Sequence, residues 1–541
     1  MAKVMVLFPN PIATIPGGLT YVAKRFRQNG WETRTFINTF DNFHTMDQIK
    51  TRVIDPFKPD VVGFSYGTYN LLEVYRLQEM CRRAGYTVVA GGNHPSIRAG
   101  ESLRQGADLV FRGEAEHGID DFCRWYEAGA DPDQRTGLRG VSYLDLFGQE
   151  VHNPKPKRIK DLDGLGPMDF SSINLDDFRL LDGSIKGLNV ISCGRGCPFR
   201  CSFCSHSDWY AYLHRSTDSI IQEMVDRHVR HGITDFWLSD ETFTVKKDHI
   251  HDFCQRLIRE KLPFTWSCGT RVTAVDEPML KTMKAAGLKQ LTYGVESADD
   301  ETLARINKGY DAATAYQVVE MTAKLKIPLY VNLMTGFPWE TPVHVANNVR
   351  FIKAVAKHVN MFQLYGAVIP YPDTTIYEEY HEQEGFTDFW LEPKYQNAGM
   401  VIYQNVANPY RVSTFFQRNL YDDTYVAEDY FFRFSPEYKK AVARMGFLIG
   451  WKGIQASTPS RFRRVAKYSL GRGSHLLYQL APNLEKRMVG GLIRKNRVHS
   501  GRATASFVHK GRRPEPGKNE TQTMAAAEEP GLGGKTLRGT V

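Results

Sequence analysis

The sequence lacks the segments that would place a protein in a membrane or direct it out of the cell. No apolar run reaches the roughly 18 residues that a membrane-spanning helix needs. Residues 1–11, MAKVMVLFPNP, do not follow the charged-then-apolar plan of a signal peptide. The hydrophobic share of 42% and the charged share of 24% are those of an ordinary globular protein. We therefore expect a cytoplasmic protein in a reducing compartment.

Cysteine is too sparse for the disulfide framework of a small secreted protein. The 541 residues contain eight cysteines, and four of them are scattered along the chain. The other four fall within one short segment, Cys193-Gly-Arg-Gly-Cys197-Pro-Phe-Arg-Cys201-Ser-Phe-Cys204. A tight group of cysteines in a large chain indicates a metal site rather than disulfides.

The first 145 residues have the pattern of an α/β domain. Short β-rich apolar runs, such as Val4–Phe8 and Val61–Ser65, alternate with helical stretches such as Leu71–Ala84. This alternation predicts a doubly wound, Rossmann-like domain, with a parallel sheet covered by helices on both faces. Ligands of such sheets bind at the carboxyl ends of the strands, where glycines cluster in this segment. Residues 146–185, rich in Pro, Lys and Asp, are predicted to form a linker.

A second alternating series predicts a partial (β/α)6 barrel over residues 186–385. Its strands are expected at Leu188–Ser192, Asp235–Ser239, Phe264–Cys268, Gln290–Val295, Leu329–Met334 and Phe362–Val368. Chemistry in such a barrel takes place at the C-terminal ends of the strands. Residues 386–500 are predicted to form a mostly helical accessory region. Residues 501–541 have no apolar period and are predicted to be disordered.

The spacing Cys-x3-Cys-x2-Cys, from Cys197 to Cys204, follows the first barrel strand and suits a [4Fe–4S] cluster. Three thiolates can hold three of the irons and leave the fourth open, as catalytic metal sites keep a vacant position. A zinc knuckle is the alternative. Zinc sites usually pair their ligands two and two, and no matching second pair follows nearby. Cys193 is expected to be a packed thiol rather than a ligand.

This spacing resembles that of the radical S-adenosylmethionine (SAM) enzymes, and the resemblance extends over residues 186–380. The segments Leu238–Phe243, Gly294–Ser297, Gly336–Pro338 and Tyr371–Thr374 are similar to later motifs of that family. The resemblance implies that the acidic residues lie near the SAM ammonium or ribose, an arginine near its carboxylate, and a phenylalanine near its adenine. The SAM-binding residues are then Phe203, Asp240, Glu241, Arg271 and Glu296.

Residues 1–145 resemble the cobalamin-binding domain that precedes the barrel in one large radical SAM subfamily. The resemblance implies cobalamin contacts from residues at the strand ends, namely Gly17, Gly18, Ser65, Gly91, Gly92, His94, Gly113 and Glu114. The segment Asp-x-His-x-x-Gly, which places a histidine on cobalt in cobalamin-dependent methionine synthase, is missing. Cobalt is therefore expected to lack a protein imidazole. His94 is expected to be a hydrogen-bonding loop histidine near the corrin edge; a cobalt ligand is the alternative.

The resemblance implies three cofactors: a [4Fe–4S] cluster, SAM and cobalamin. We expect a cobalamin-dependent radical SAM methyltransferase that methylates an unactivated carbon of a small molecule or lipid, through a 5′-deoxyadenosyl radical and methylcobalamin. A cyclase or rearranging enzyme, similar to the anaerobic porphyrin-ring cyclase, is the alternative. A non-catalytic cobalamin or redox sensor would not need the SAM-contacting acids. A tRNA methylthiotransferase would need a second cysteine trio, which the front domain lacks.

Positive charge is concentrated near the C-terminus. Residues 451–541 carry 18 Lys and Arg against 5 Asp and Glu, whereas the rest of the chain carries 51 against 55. The stretch Lys452–Lys510 mixes basic with apolar residues, which favours peripheral contact with an anionic membrane; a solvated basic face is the alternative. An electron donor such as flavodoxin or ferredoxin is expected, and no nucleic acid. Aromatic residues before this stretch are expected to form core or to wall an apolar pocket: Phe415, Phe416, Tyr421, Tyr425, Tyr430, Phe431 and Phe432.

Overall fold

The computed structural model describes residues 1–12, 14–39, 42–180, 183–205, 211–395 and 431–457. These residues all belong to one compact unit, residues 1–475. The strands are β1 Lys3–Ile12, β2 Glu32–Thr39, β3 Val61–Ser65, β4 Thr87–Gly91, β5 Leu109–Phe111, β6 Val141–Leu144, β7 Glu150–His152, β8 Val190–Ser192, β9 Gly194–Arg195, β10 Leu213–His214, β11 Asp235–Ser239, β12 Thr265–Thr270, β13 Leu288–Glu296, β14 Leu329–Thr335 and β15 Met361–Ala367.

The helices lie mainly between these strands. The α-helices are α1 Gly17–Gln28, α2 Met46–Gln48, α3 Asp55–Phe57, α4 Leu71–Arg83, α5 Asn93–Ile97, α6 Ala99–Arg104, α7 Glu116–Glu127, α8 Thr217–His231, α9 Lys247–Arg259, α10 Glu277–Ala285, α11 Asp300–Arg305, α12 Ala312–Lys324, α13 Pro342–Val355, α14 Thr375–Tyr380 and α15 Pro436–Ser457. A π-helical segment, Ile49–Ile54, joins α2 to α3. Short 3₁₀ helices occur at Pro132–Gly137, Asp163–Leu165, Leu175–Phe178, Val272–Ala274, Phe389–Leu391 and Pro393–Tyr395.

The first sheet has the order β2-β1-β3-β4-β5-β6-β7. Strands β1 to β5 pair in parallel, and β6 and β7 continue the sheet with antiparallel pairing. Alternate residues of β1 belong to different cores: Met5 packs in the core that contains α4, and Val6 packs in the core that contains α1 and α7. Helices therefore cover both faces, which is why the parallel strands are apolar throughout. The predicted doubly wound domain is confirmed, and its sheet extends to His152.

The second sheet contains six parallel strands, β8 and β11 to β15, in chain order. Helices α8 to α13 connect successive strands, as the predicted partial (β/α)6 barrel requires. Within the described ranges, β8 and β15 each pair with one neighbour in this sheet, so the barrel is open. Strands β9 and β10 form a separate two-stranded ribbon beside the cysteine segment.

Helix α15 packs on the barrel against α13 and β15. Its Tyr438 is buried, and the Tyr438 hydroxyl donates a 2.5 Å hydrogen bond to Glu340 Oε2. The same hydroxyl accepts a 2.8 Å hydrogen bond from the backbone N–H of Gly336. Burial raises the pKa of Glu340 to about 7. The hydrogen bonds of the Glu340 carboxyl and the Tyr438 hydroxyl therefore tie the helix to the loop after β14.

The C-terminal predictions fall largely outside the described residues. Phe431 and Phe432 are described, and both are buried against Phe386, as expected for core. The other five aromatic residues of that set and residues 458–510 of the basic stretch lie outside the described ranges. None of the helices in the described ranges combines the length and the apolar character required to cross a bilayer.

The raised pKa of Glu340 predicts that the free energy of unfolding depends on pH. Its pKa is raised in the folded state, so its contribution is fully present below about pH 4.5 and is lost as the pH rises through about 7. We expect the free energy of unfolding to fall by on the order of 3 kcal/mol over this range from this group. Glu340→Gln should remove that decline in denaturant titrations at successive pH values. Glu378→Gln, at an exposed position of α14, is the control and should keep the wild-type profile. Identical profiles for wild type and Glu340→Gln would contradict the assignment.

Candidate functional site

The carboxyl ends of the two parallel sheets border one cavity of about 1040 Å³. The first domain contributes the loops after β1, β3, β4 and β5, and the barrel contributes the ends of β8 and β11. Small-molecule and cofactor pockets measure roughly 300–1,000 Å³, so this cavity stands at the upper end of that range. It also reaches into the apolar layer between the sheet and helices α1 and α7, where Val6, Phe26 and Ile119 line it.

Seven of the eight residues predicted to contact cobalamin line this cavity: Gly17, Gly18, Ser65, Gly91, Gly92, Gly113 and Glu114. Two of these glycines show why a side chain is absent from the cavity wall. A Cβ on Gly18 would meet nothing within 4 Å, so the protein leaves space that a ligand can fill. Gly92 has a φ of +100°, and a Cβ there would come within 2.8 Å of the Tyr66 carbonyl oxygen. The size, the apolar extension and the glycine wall fit cobalamin.

His94, the eighth residue, is absent from the cavity lining that the structure describes. Its side chain is completely buried. Its Nδ1 lies 3.1 Å from Thr68 Oγ1, and its Nε2 lies 3.3 Å from Glu101 Oε1. Burial lowers the pKa of His94, so the ring is neutral at physiological pH. Both ring nitrogens have partners in the protein, as expected of a hydrogen-bonding histidine.

The three cluster cysteines lie half-buried on the loop that follows β9. Burial, together with Cys201 and Cys197 nearby, raises the pKa of Cys204 to about 12. Burial also raises the pKa of Cys197, whose Sγ lies 3.8 Å from Thr242 Oγ1. Metal binding would supply the positive charge that favours the thiolate forms of Cys197 and Cys204. Among the described residues, no three His, Cys, Asp or Glu side chains are arranged to hold a single metal ion.

Arg271 supplies positive charge beside this loop. Its Nη1 lies 3.6 Å from the Sγ of Cys201, and its guanidinium carbon lies 4.1 Å from the centre of the Phe199 ring. A guanidinium at this position stabilises a thiolate, so the donor set fits an iron–sulfur cluster. Cys193, by contrast, is fully buried, and its thiol hydrogen-bonds to the Ile191 carbonyl oxygen at 3.5 Å, as expected of a packed thiol.

The predicted SAM residues fall into two places. Asp240 and Glu241 line the central cavity. Asp240 Oδ2 accepts a 2.8 Å hydrogen bond from the Tyr212 hydroxyl, and Oδ1 accepts a 3.0 Å hydrogen bond from the Thr242 N–H. Burial raises the pKa of Asp240 to about 7. A cation beside Asp240 would keep this carboxylate ionised at neutral pH.

Phe203, Arg271 and Glu296 are absent from that lining and lie around the cysteine loop and β13. Glu296 Oε1 is 3.4 Å from Lys308 Nζ, and the same ammonium lies 5.8 Å from the centre of the Phe203 ring. Glu296 has a φ of +65°, a conformation that non-glycine residues adopt rarely. Burial raises the pKa of Glu296, although Lys308 and Arg271 oppose this rise.

Sequence reasoning missed four polar residues of this region: Arg195, Tyr212, Thr242 and Lys308. Arg195 lies inside the cysteine segment and lines the cavity, so its position in the motif was a usable signal. Thr242 follows the predicted acidic pair directly. Lys308 and Tyr212 lie 12 and 28 positions from the acids they contact, Glu296 and Asp240, so no local pattern marks these pairs.

Comparison with known proteins agrees with this geometry. Residues 191–352 match the Radical SAM superfamily, and residues 13–122 match the B12 binding domain. An uncharacterized methyltransferase of Pyrococcus horikoshii is 28% identical over 369 residues, which cover 67% of this chain and 78% of that protein. An anaerobic magnesium-protoporphyrin IX monomethyl ester cyclase of Rubrivivax gelatinosus is 24% identical over 381 residues, covering 69% and 68% respectively.

A solved structure shares the architecture. It is the cobalamin-dependent S-adenosylmethionine radical enzyme OxsB, with aqua-cobalamin and S-adenosylmethionine bound. The TM-score is 0.60 over 92% of this chain and 75% of that chain, at 15% sequence identity. At this identity the likeness concerns the fold.

The cysteine geometry predicts how the cluster responds to substitution. After anaerobic reconstitution, the wild type should hold about four irons and four sulfides, and Cys201→Ala should lose the cluster, because alanine offers neither ligand nor charge. Cys193→Ala is the matched control from the same segment and should retain the full iron and sulfide content. A complete cluster in the triple alanine variant of Cys197, Cys201 and Cys204 would contradict the ligand assignment.

The burial of His94 predicts the spectrum of bound cobalamin. Electron paramagnetic resonance of the cob(II)alamin form should show no nitrogen splitting from an axial protein base, in wild type and in His94→Ala alike. The substitution should instead lower the free energy of unfolding by roughly 1–3 kcal/mol, because Glu101 and Thr68 lose a buried partner. Nitrogen splitting in the wild type that vanishes in His94→Ala would identify His94 as a cobalt ligand.

Proposed function

Because this chain is a radical SAM enzyme with a B12-binding domain, we propose that it is a cobalamin-dependent methyltransferase acting on an unactivated carbon of a small-molecule or lipid substrate. The observation that carries the proposal is the shared cavity. The cobalamin-side loops at Gly18 and Gly113 line this cavity together with Ser239 and Asp240 from the barrel. A substrate bound in the cavity would contact residues of both domains.

The cofactors supply the reactive groups. When bound, the cluster and SAM supply a radical that takes a hydrogen atom from the substrate carbon, and cobalamin supplies the methyl group. The protein holds and orients these groups. Cys197, Cys201 and Cys204 would hold three irons, and Asp240 with Glu241 would hold the SAM ammonium. Glu296, paired with Lys308, would accept hydrogen bonds from the ribose hydroxyls.

Exclusion of water is the second task of the protein. The aromatic side chains Phe8, Tyr66 and Trp237 line the cavity. A dry site protects a carbon radical from side reactions and strengthens the electrostatic contacts that orient SAM. The electron for SAM cleavage comes from outside the chain, and we propose a flavodoxin or a ferredoxin as its donor.

The relatives support methyl transfer and also name the alternative. The Pyrococcus horikoshii relative is described as a methyltransferase, and the Rubrivivax gelatinosus relative is a ring cyclase of similar coverage. The two functions differ in the fate of the SAM methyl group. A methyltransferase consumes two SAM molecules per product, one cleaved to methionine and 5′-deoxyadenosine and one converted to S-adenosylhomocysteine. A cyclase has no need of the second conversion.

The test uses SAM carrying a CD3 group and needs no knowledge of the substrate. The reduced holoenzyme should transfer CD3 to its own cobalamin and release one S-adenosylhomocysteine for each transfer. Mass spectrometry of the extracted cobalamin and chromatography of the nucleosides measure both products. The cluster-free Cys201→Ala variant, loaded with cobalamin, is the control: it should still transfer CD3 but form no 5′-deoxyadenosine. The opposite result is 5′-deoxyadenosine formed without labelled cobalamin and without S-adenosylhomocysteine. That result would reject methyl transfer in favour of the cyclase.

A further inference from the structure

Arg195 connects the cluster loop of the barrel to the first domain. It lies in β9, two residues before Cys197. Its Nη1 is 3.2 Å from Glu114 Oε1, and its Nη2 is 2.5 Å from Glu116 Oε1. The exposed fractions of the three side chains are 12% for the arginine and 5% and 8% for the two glutamates. These residues form a buried ion triad, with both carboxylates supplied by the segment after β5.

The triad is held from several sides and forms part of the cavity wall. The guanidinium carbon of Arg195 lies 5.3 Å from the centre of the Tyr21 ring on α1. The backbone N–H of Ile159 donates a 2.6 Å hydrogen bond to Glu114 Oε2. Tyr21, Glu114, Glu116 and Arg195 all line the central cavity. The contact therefore joins the first domain, the connecting segment and the cluster loop at the place where a substrate would bind.

The chemistry of the triad favours a geometric role over a stabilising one. Buried ion pairs contribute little net stability, because desolvation offsets the attraction between the charges. An arginine, however, presents its N–H groups in a rigid planar fork, so contacts to two carboxylates fix its orientation as well as its position. Lysine has a single flexible ammonium and cannot reproduce this fork. A rigid, directional contact between two cofactor-binding loops fixes their separation.

We propose that the Arg195–Glu114–Glu116 triad sets the distance and orientation between the cobalamin-binding loop after β5 and the cluster-binding loop. Arg195 and Glu116 are positioning residues. The consequence for turnover rests on the proposed function: the hydrogen-abstracting radical and the methyl donor must reach the same carbon. Reacting groups misplaced by about 1 Å can cost roughly 100-fold in rate. Loosening the triad should uncouple SAM cleavage from methyl transfer.

The test measures distance in the full-length holoenzyme, independently of turnover. Pulsed electron paramagnetic resonance gives the distribution of distances between cob(II)alamin and the reduced cluster. Arg195→Lys and Glu116→Gln should broaden this distribution while the cobalt and iron contents stay at wild-type values. Arg227→Lys is the matched control: Arg227 is buried and binds Glu223 and the carbonyl oxygens of Leu188 and Val190, all within the 186–385 segment.

The second readout is the ratio of 5′-deoxyadenosine to S-adenosylhomocysteine, which should rise about tenfold in both triad variants and stay unchanged in Arg227→Lys. If Arg195→Lys fails to bind the cofactors, Glu116→Gln decides, because the amide keeps the size of the side chain while removing one of the two negative charges that hold Arg195. A wild-type distance distribution in fully loaded Glu116→Gln would overturn the proposal. If the wild type transfers no methyl group, the proposed function fails, and the distance measurement still tests the triad.

Discussion

The carboxyl ends of two parallel sheets meet at one cavity, and the other functional features depend on this constraint. Parallel strands all end at the same edge of their sheet, so the loops beyond that edge converge without being part of the hydrogen-bonded ladder. In the first domain those loops supply glycines, whose missing side chains leave room for a large ligand. In the barrel they supply charged side chains. One edge is thus shaped for a bulky cofactor, and the other can bind the charged groups of SAM.

Three ionisable groups of the site have specific polar partners. Glu296 lies beside Lys308, Asp240 accepts from Tyr212 and Thr242, and Arg271 lies beside Cys201. Such buried ionisable groups with a specific partner are concentrated at functional sites more than in structural cores. Cys197 and Cys204 differ, since burial and the neighbouring cysteines favour their neutral thiols. Iron held by these cysteines would supply positive charge, which would couple cluster assembly to the local electrostatics.

Local apolar patterns were enough to predict most of the fold. Strands β3 and β11 have the predicted ends, because each is a short apolar run bounded by turn residues. Strand β2, Glu32–Thr39, was missed because it lies at the sheet edge and mixes charged with apolar residues. The cluster segment and the acids after β11 could be recognised as motifs in the sequence. The ion pairs of Arg195 with Glu114 and Glu116 could not be predicted, because these glutamates lie 81 and 79 positions away and only the tertiary fold brings them together.

Apolar and polar contacts have different roles in joining the first domain to the barrel. One continuous hydrophobic cluster includes Val74 of α4, Ile191 of β8 and Trp390 beyond the barrel. Apolar contact is non-directional and tolerates small shifts, so it holds the two parts together without fixing their relative position. Directional contacts supply that precision: the Trp390 indole donates a 3.0 Å hydrogen bond to Glu101, and Arg195 binds Glu114 and Glu116. Of these polar contacts, those of Arg195 lie in the wall of the cavity. Chemistry that requires two cofactors to act on one carbon depends on such orientation, which hydrophobic burial alone does not provide.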